Sequence, residues 1–233
     1  MGIYEFAGCV VSYEPLYGLL RRRMETYRSD TERQPDITLD GTKEDYEKLR
    51  KQYPHLSIEE CEYSCAGAEF YMKLLKHQGF MIHASAVEKE GKAYLFSAPS
   101  GTGKSTHAQL WRQTFKGEPI RIINDDKPAV CLQNGVFYAC GTPFSGKTDK
   151  NENRKAPIQG LCMLHRGKTN KIQKITSGEA LPLILPQTLF YGDEEETNLL
   201  LSFLDRFLQS VPVYKMECTM KEEAAKTAYF LGN

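Results

Sequence analysis

The nine residues from Ala98 to Thr106 read Ala-Pro-Ser-Gly-Thr-Gly-Lys-Ser-Thr and could bind an anion. They follow an apolar run and precede an amphipathic run, which predicts a strand, a loop and a helix. Glycines let the backbone of a tight loop approach a ligand, and free N–H groups at a helix start attract negative charge. The spacing matches the phosphate-binding pattern, with Ala98 in place of the first glycine. We call residues 98–106 the phosphate loop.

Within the phosphate loop, the Lys104 ammonium could reach the outer phosphates of a nucleotide, and the Ser105 hydroxyl could bind the accompanying magnesium. The alternative is a glycine-containing turn in which Lys-Ser occurs by coincidence. The strand–loop–helix context favours phosphate binding. The predicted nucleotide-binding residues are Ser100, Gly101, Thr102, Gly103, Lys104, Ser105 and Thr106.

Asp125 and Asp126 end the next apolar run, 120–125. An acid at such a strand end can face the phosphate loop, so that one carboxylate holds magnesium and the other accepts a proton. Successive strand residues point to opposite faces, so both acids can serve one site only if the chain turns there. Lys127-Pro128 favours that turn. The alternative is an ordinary Asp-Asp turn between strands.

The histidines and cysteines carry weaker signals. His83 falls in a predicted strand, where a lone histidine is usually structural. His107 is predicted to lie on the surface or to pack. The seven scattered cysteines indicate free thiols in a reducing compartment. Cys61 and Cys65 are four residues apart, but no second cysteine pair completes a metal site.

Composition excludes several classes of protein. The 233 residues contain 30 Lys plus Arg and 30 Asp plus Glu, so the net charge is zero and nucleic-acid binding is not expected. The first residues lack the pattern of a signal peptide. No run approaches the roughly 18 apolar residues of a membrane helix. We expect a soluble, cytoplasmic protein that does not bind membranes.

Strand and helix patterns follow one another irregularly, which predicts a mixed α/β (α+β) protein with hairpins rather than a doubly wound sheet. The predicted strands are 4–13, 80–87, 92–98, 120–125, the hairpin 128–140 with its turn at Asn134-Gly135, 156–167 and 213–218. A turn is predicted at 88–91. The predicted helices are 15–27, 43–53, 67–79, 105–115, 178–188, 195–211 and 221–232.

Several segments together resemble a known family. These are MIHASAV, SGTGKST, IINDD, GTPFSGK and APIQGLCML, all within about residues 80–165, with a looser match at 211–229. They resemble the catalytic domain of bacterial HPr kinase/phosphorylase, and still more the shorter HPr-kinase-like serine kinases found beside peptide-maturation genes. Residues 1–79 show no such resemblance. We therefore expect 80–233 to form a catalytic domain and 1–79 an N-terminal mixed α/β lobe that can belong to the same domain.

The resemblance implies a fold similar to phosphoenolpyruvate carboxykinase, a mixed sheet curled like a barrel with helices packed outside. It also implies ATP and Mg²⁺. His83 matches a histidine of the family, and Asp125 matches its general base. The catalytic residues implied are Asp125, Lys104 and His83, and the metal ligands are Ser105 and Asp126.

Two segments bear on the substrate. The family's bifunctional enzymes carry a glutamate and an arginine before Gly-Leu-Gly, whereas residues 157–162 here read Pro-Ile-Gln-Gly-Leu-Cys. This difference argues against phosphorylase activity and against HPr as the substrate. The basic segment 141–155 is expected near the active site, where Lys147 or Arg154 could supply a cation. The alternative is a solvated basic loop.

These observations predict a Mg²⁺-dependent, ATP-using kinase that phosphorylates a hydroxyl, such as a serine of a small protein or peptide. The resemblance also makes a homo-oligomer plausible. An alternative function is a nucleotide-binding scaffold or switch subunit of a modification system, without transfer activity of its own. A third, small-molecule phosphoryl transfer of the carboxykinase type, lacks visible ligands for a second metal.

Overall fold

The structure, a computed structural model, describes residues 1–189 and 193–229. The strands of this part are β1 (Gly2–Phe6), β2 (Cys9–Tyr13), β3 (Ile37–Thr38), β4 (Gly79–Met81), β5 (Ala84–Lys89), β6 (Lys92–Ser97), β7 (Arg121–Asn124), β8 (Ala129–Gln133), β9 (Val136–Cys140), β10 (Lys155–Arg166), β11 (Lys171–Ile175) and β12 (Val213–Cys218). Its α-helices are α1 (Gly18–Met24), α2 (Lys43–Gln52), α3 (Ile58–Leu74), α4 (Lys104–Thr114), α5 (Ser177–Ile184), α6 (Glu194–Ser210) and α7 (Glu222–Tyr229).

The larger sheet of the described residues is mixed and is organised by the 12-residue strand β10. The start of β10, Lys155 to Pro157, pairs antiparallel with β9. From Ile158 to Met163 it pairs parallel with β6, with a register shift between Ile158 and Gly160. Its last residues pair parallel with β12. Because β10 changes partners along its length and shifts register, the sheet curls, as bulged strands do. The predicted mixed α/β class is confirmed.

Residues 2–13 form a hairpin, so the prediction of one strand over 4–13 is wrong. β1 and β2 pair antiparallel, and the short strand β3 adds to β2 in parallel. The turn uses Ala7 (φ 53°) and Gly8 (φ 80°), both left-handed. Alanine rarely adopts that conformation, so Gly8 is the only residue type here that indicates a turn. The short β3 and the strand β11 were also not predicted.

Helix α3 begins at Ile58, nine residues before the predicted start. Ser57 and Glu60 form a capping box in which each side chain accepts from the other's backbone N–H. The helix also ends earlier than predicted, because Gln78 takes the left-handed conformation (φ 59°) and Gly79 opens β4. The prediction 67–79 is therefore wrong at both ends.

The predicted strand 80–87 is two strands with different partners. β4 pairs with β8, whereas β5 pairs with β6 and β7. Ile82 bridges to Thr188, and His83 lies in the break between the strands. β5 continues to Lys89, so the following turn is shorter than the predicted 88–91.

The remaining predicted elements are present with shifts of one or two residues, apart from two helices that finish as 3₁₀ turns. Helix 15–27 is α1 followed by a 3₁₀ turn at Glu25–Tyr27, and 178–188 is α5 followed by a 3₁₀ turn at Leu185–Gln187. The predicted helix 221–232 is α7 as far as Tyr229, and its last three residues lie outside the described part. Within that part, no helix has both the length and the apolar character required to cross a membrane.

Three clusters of buried apolar side chains hold these elements together. One fills the curled sheet and is covered by α5 and α6. A second lies beneath α4 and α7 and includes Trp111. The third joins the N-terminal elements to residues from the larger sheet, such as Met81 and Ala129, and to Phe144. Residues before and after position 79 therefore share one core.

Candidate functional site

The phosphate loop connects β6 to α4, as predicted, and its glycines have backbone conformations that other residues rarely adopt. Gly101 has φ +78°, and Gly103, the residue before the first turn of α4, has φ +120°. A Cβ built on either glycine would meet no described atom within 4 Å. The space beside the backbone is therefore open, which suits a loop that must surround a phosphate chain.

The Lys104 ammonium is held inside the phosphate loop. The residue is only 6% exposed, and its Nζ donates to the Ala98 carbonyl at 2.9 Å. Burial lowers the pKa of Lys104, while the nearby carboxylates of Asp126 and Asp125 act to raise it. The lysine is thus within the electrostatic influence of both acids, and a phosphate would be a stronger partner than the carbonyl it now contacts.

Arg166, at the end of β10, contacts the phosphate loop. Its guanidinium donates to the carbonyls of Gly101 (2.5 Å) and Thr102 (3.0 Å). These two hydrogen bonds tie the loop to the end of β10. The sequence offered no signal for this contact, because 62 positions separate Arg166 from Lys104.

The predicted turn at the acid pair is present, and Asn124 builds it. β7 ends at this residue, whose Oδ1 accepts from the backbone N–H groups of Asp126 (3.0 Å) and Lys127 (2.8 Å). Its Nδ2 donates to the carbonyl and the hydroxyl of Thr142, each at 3.1 Å. Asn124 is fully buried and thus fixes the direction in which both acids leave the strand.

Asp125 is held by hydroxyl groups. It is 2% exposed, and its Oδ1 accepts from Ser85 Oγ at 2.9 Å. Its Oδ2 accepts from Thr148 Oγ1 at 2.8 Å. Ser85 also donates to the Asp125 carbonyl at 3.0 Å. Thr148 lies on the exposed turn 146–148, so a hydroxyl on the open side of the site can reach this carboxylate.

Asp126 is held by cationic and imidazole groups. Its Oδ1 is 3.2 Å from His83 Nε2, and its Oδ2 is 2.7 Å from Lys127 Nζ. Burial acts to raise the pKa of Asp126, but the hydrogen bond from His83 and the Lys127 charge outweigh burial and hold the pKa well below its usual range. Asp126 is therefore ionised at neutral pH.

His83 lies at the break between β4 and β5 and contacts two partners. Besides Asp126, its Nδ1 is 3.2 Å from Gln187 Oε1. Its backbone N–H donates to the Gln187 carbonyl at 2.7 Å, and its carbonyl accepts from Ser97 Oγ at 2.8 Å. These contacts fix the ring so that Nε2 faces the Asp126 carboxylate, which favours a proton on that nitrogen.

A cleft of about 1290 Å³ brings some of the predicted site residues together. The predicted residues outside its described lining are Gly101, Thr102, Gly103, Lys104 and Thr106. Its lining includes Ser100 and Ser105 of the phosphate loop together with His83 and both acids. Another wall comes from the N-terminal segment. It contributes Leu19, Arg23, Leu56, Glu60, Tyr63 and Ser64. The sequence assigned no role to these residues.

Of the cations considered from the sequence, Lys147 lines the cleft but Arg154 does not belong to the described lining. Arg154 instead pairs with Glu88 and Glu152. Two other cations do line the cleft. Lys127 pairs with Asp126, and Arg23 pairs with Asp149 at 3.1 Å and donates to the Gly146 carbonyl at 2.7 Å. Lys127 could have been identified from its position directly after the acid pair.

His107 packs, which was one of the two expected outcomes. It is buried in the first turns of α4, and its Nε2 accepts from Trp111 Nε1 at 3.3 Å. Burial lowers the pKa of His107 to about 4, so the ring is neutral. Its contact with Phe96 of β6 packs α4 against the sheet.

The donor set fits a magnesium ion accompanied by phosphates better than a metal held by protein alone. Within 1–189 and 193–229, no group of three or more His, Cys, Asp and Glu side chains could hold a metal ion. Magnesium usually takes one or two carboxylates and completes its shell with phosphate and water oxygens. Ser105 and Asp126 line the same cleft and can supply such oxygens.

Comparisons with known proteins find no match in sequence but several in structure. No protein-family model matches the chain, and no curated protein matches it in sequence. The structure is similar to that of an Hpr(Ser) kinase/phosphatase from Coxiella burnetii, with 9% sequence identity and a TM-score of 0.36. The likeness covers 65% of this chain and 93% of that chain.

Proposed function

We propose that this protein is a Mg²⁺-dependent, ATP-using kinase that transfers a phosphoryl group to a hydroxyl, such as a serine of a peptide or small protein. One observation carries the proposal. Ser100 and Ser105 of the phosphate loop line the same cleft as two carboxylates that have different partners, and the charge of the buried Lys104 interacts with both carboxylates. Phosphate binding alone would not require a second, hydroxyl-facing carboxylate.

In this proposal Asp125 is the general base. Thr148 already donates a hydroxyl to its Oδ2, so an acceptor hydroxyl can be held in a comparable position. Asp125 accepts the hydroxyl proton while the acceptor oxygen forms a bond to the γ-phosphorus. The bond between that phosphorus and the oxygen of ADP breaks. The products are a phosphate ester and ADP, and the proton remains on Asp125 until solvent removes it.

Asp126 has a different role, because a carboxylate with a lowered pKa is a weak base and a good metal ligand. With Ser105 it would hold magnesium. When bound, the ion neutralises charge on the phosphates. His83 orients Asp126 through its Nε2, and Lys104 with the loop amides holds the phosphates.

The size and position of the cleft favour an acceptor larger than a metabolite. Its volume, about 1290 Å³, exceeds the roughly 300–1000 Å³ typical of small-molecule pockets. Residues of α1 and α3 contribute to its lining, in addition to those of the phosphate loop. A peptide segment could therefore lie along these helix residues while its hydroxyl meets Asp125.

The test is transfer from γ-labelled ATP to a panel of serine peptides, small hydroxyl metabolites and HPr. We expect transfer to a serine peptide, and we expect Asp125→Asn to lower kcat by about 10²- to 10⁴-fold, because a general base contributes in that range. Nucleotide binding by Asp125→Asn, measured by calorimetry, should remain. Lys104→Ala should weaken nucleotide binding itself.

Ser202→Leu, on the exposed face of α6, serves as the control and should transfer phosphate like the wild type. Tight nucleotide binding without transfer to any acceptor would contradict the kinase and favour a scaffold or switch subunit. Unchanged transfer by Asp125→Asn would contradict its role as base.

A further inference from the structure

A small pocket opens beside the acid pair. It has a volume of about 140 Å³ and lies between α3 and residues that include Met81 of β4 and Lys127, which follows the acid pair. One face of α3 supplies more than half of its lining. The lining residues are Tyr63, Ser64, Gly67, Ala68, Tyr71, Met81, Lys127, Phe144 and Leu189.

The polar groups at this pocket are largely occupied by other partners. The Tyr71 hydroxyl is hydrogen-bonded to Thr142 Oγ1 (2.8 Å) and donates to the Lys127 carbonyl. The Tyr63 hydroxyl accepts from the Gly146 N–H at 2.9 Å. What remains for a ligand is chiefly the carbon surface of aromatic rings, a methionine and a leucine. A cavity of about 150 Å³ lined by apolar side chains stays dry and binds a benzene-sized group.

The pocket is continuous with the catalytic cleft. Tyr63, Ser64, Met81, Lys127 and Leu189 line both. Lys127 connects the two most directly, because its ammonium pairs with Asp126 and lies 5.8 Å from the centre of the Tyr63 ring. A group in the pocket would therefore lie close to a hydroxyl held by Asp125.

We propose that this pocket binds an apolar side chain of the acceptor, of about the size of leucine or phenylalanine, next to the phosphorylated serine. The inference rests on the proposed kinase function and specifies its substrate class. An acceptor with alanine at that position would leave the pocket unfilled and would lose the burial that favours binding.

The first test measures the pocket without catalysis. Toluene is titrated into protein labelled with ¹³C at the methionine methyl groups, and the Met81 signal is assigned with Met81→Leu. We expect the Met81 signal to shift in the wild type but not in Ala68→Leu. Ala68 is exposed at the pocket mouth, so a leucine there can block entry without disturbing the core. No shift in the wild type, or an equal shift in Ala68→Leu, would contradict the binding of an apolar group in this pocket.

The second test compares kcat/KM for serine peptides that differ only in having alanine, leucine or phenylalanine beside the serine. We expect the wild type to prefer the apolar residues by about 10- to 100-fold, the range of a hydrophobic subsite. Ala68→Leu should lose most of this preference, and Ser202→Leu should keep it. Equal kcat/KM values for all peptides would contradict the proposed preference for apolar residues but not the proposed kinase function. Absence of transfer to any acceptor would overturn the proposed function and this inference with it, whatever the toluene result.

Discussion

At the scale of single residues, the two acids of the site differ in the groups that surround them. Asp125 and Asp126 are adjacent and identical, yet one accepts from two hydroxyls and the other faces an imidazole and an ammonium. The sequence could predict the pair and its turn, because carboxylates after an apolar strand have a limited set of uses. It could not predict Ser85 or Thr148 as partners, since they lie 40 and 23 positions from Asp125 and have no motif.

A buried histidine predicts how stability depends on pH. The pKa of His107 is about 4 in the folded protein and about 6.5 when unfolded, so the unfolded state binds the proton more readily. The stability associated with this difference is fully present above pH 6.5 and is lost as pH falls from 6.5 toward 4. The total effect is about 3 kcal/mol, at 1.36 kcal/mol per pKa unit.

We expect His107→Gln to flatten this dependence, because glutamine does not titrate but can still accept from Trp111. The measurement is the free energy of unfolding by urea at intervals between pH 7.5 and 4.5. The slope of the wild type should exceed that of the variant over the range below 6.5. Identical slopes for the two proteins would show that His107 is accessible to protons in the folded state.

At the scale of elements, the strand–loop–helix around the phosphate loop was predictable, because its glycines, lysine and flanking patterns lie within one short segment. Some of the elements that were predicted wrongly depend on distant partners. The apolar run 80–87 has no internal sign that β4 joins β8 while β5 joins β6, and the break at His83 follows from that division. The start of α3 could have been found from Ser57 and Glu60, whose spacing is a capping box.

The contact between Arg166 and the phosphate loop yields a prediction for nucleotide binding. Arg166→Gln removes the guanidinium that holds the Gly101 and Thr102 carbonyls, so the loop becomes more mobile and must be ordered on binding. We expect the Kd for ATP with Mg²⁺ to rise about tenfold by calorimetry, which corresponds to about 1.4 kcal/mol. Arg112→Gln, at an exposed position on α4, should bind like the wild type. An unchanged Kd for Arg166→Gln would exclude a positioning role.

At the scale of the whole molecule, the N-terminal segment is joined to the rest through a shared core. Phe144, from the loop after β9, is buried and its ring lies within 6.5 Å of the rings of Phe6, Tyr63, Phe70 and Tyr71. Residues 1–79 contain no recognisable motif, so the role of this segment could not be predicted from the sequence. Its contacts with the loop 141–155 are long-range packing, which no local pattern encodes.

We infer that residues 1–79 and 80–229 unfold together, and Phe144→Ala tests this. The substitution should lower the free energy of unfolding by about 3–5 kcal/mol, the usual cost of a buried Phe→Ala change. Circular dichroism and Trp111 fluorescence, which report on different parts of the chain, should still give one coincident transition. Val136→Ala, at an exposed position of β9, should change stability little. Two separate transitions, with one alone affected by Phe144→Ala, would show that the N-terminal segment is an independent unit.

The pairing of β10 with several strands limits where the chain can gain or lose residues. Each end of the strand belongs to a different ladder, antiparallel with β9 and parallel with β6 and β12. A single residue inserted or deleted near its middle would move the side chains of one half of the strand to the opposite face of the sheet. Length variation among natural versions of this chain should therefore avoid β10 and accumulate at turns such as Asn134-Gly135.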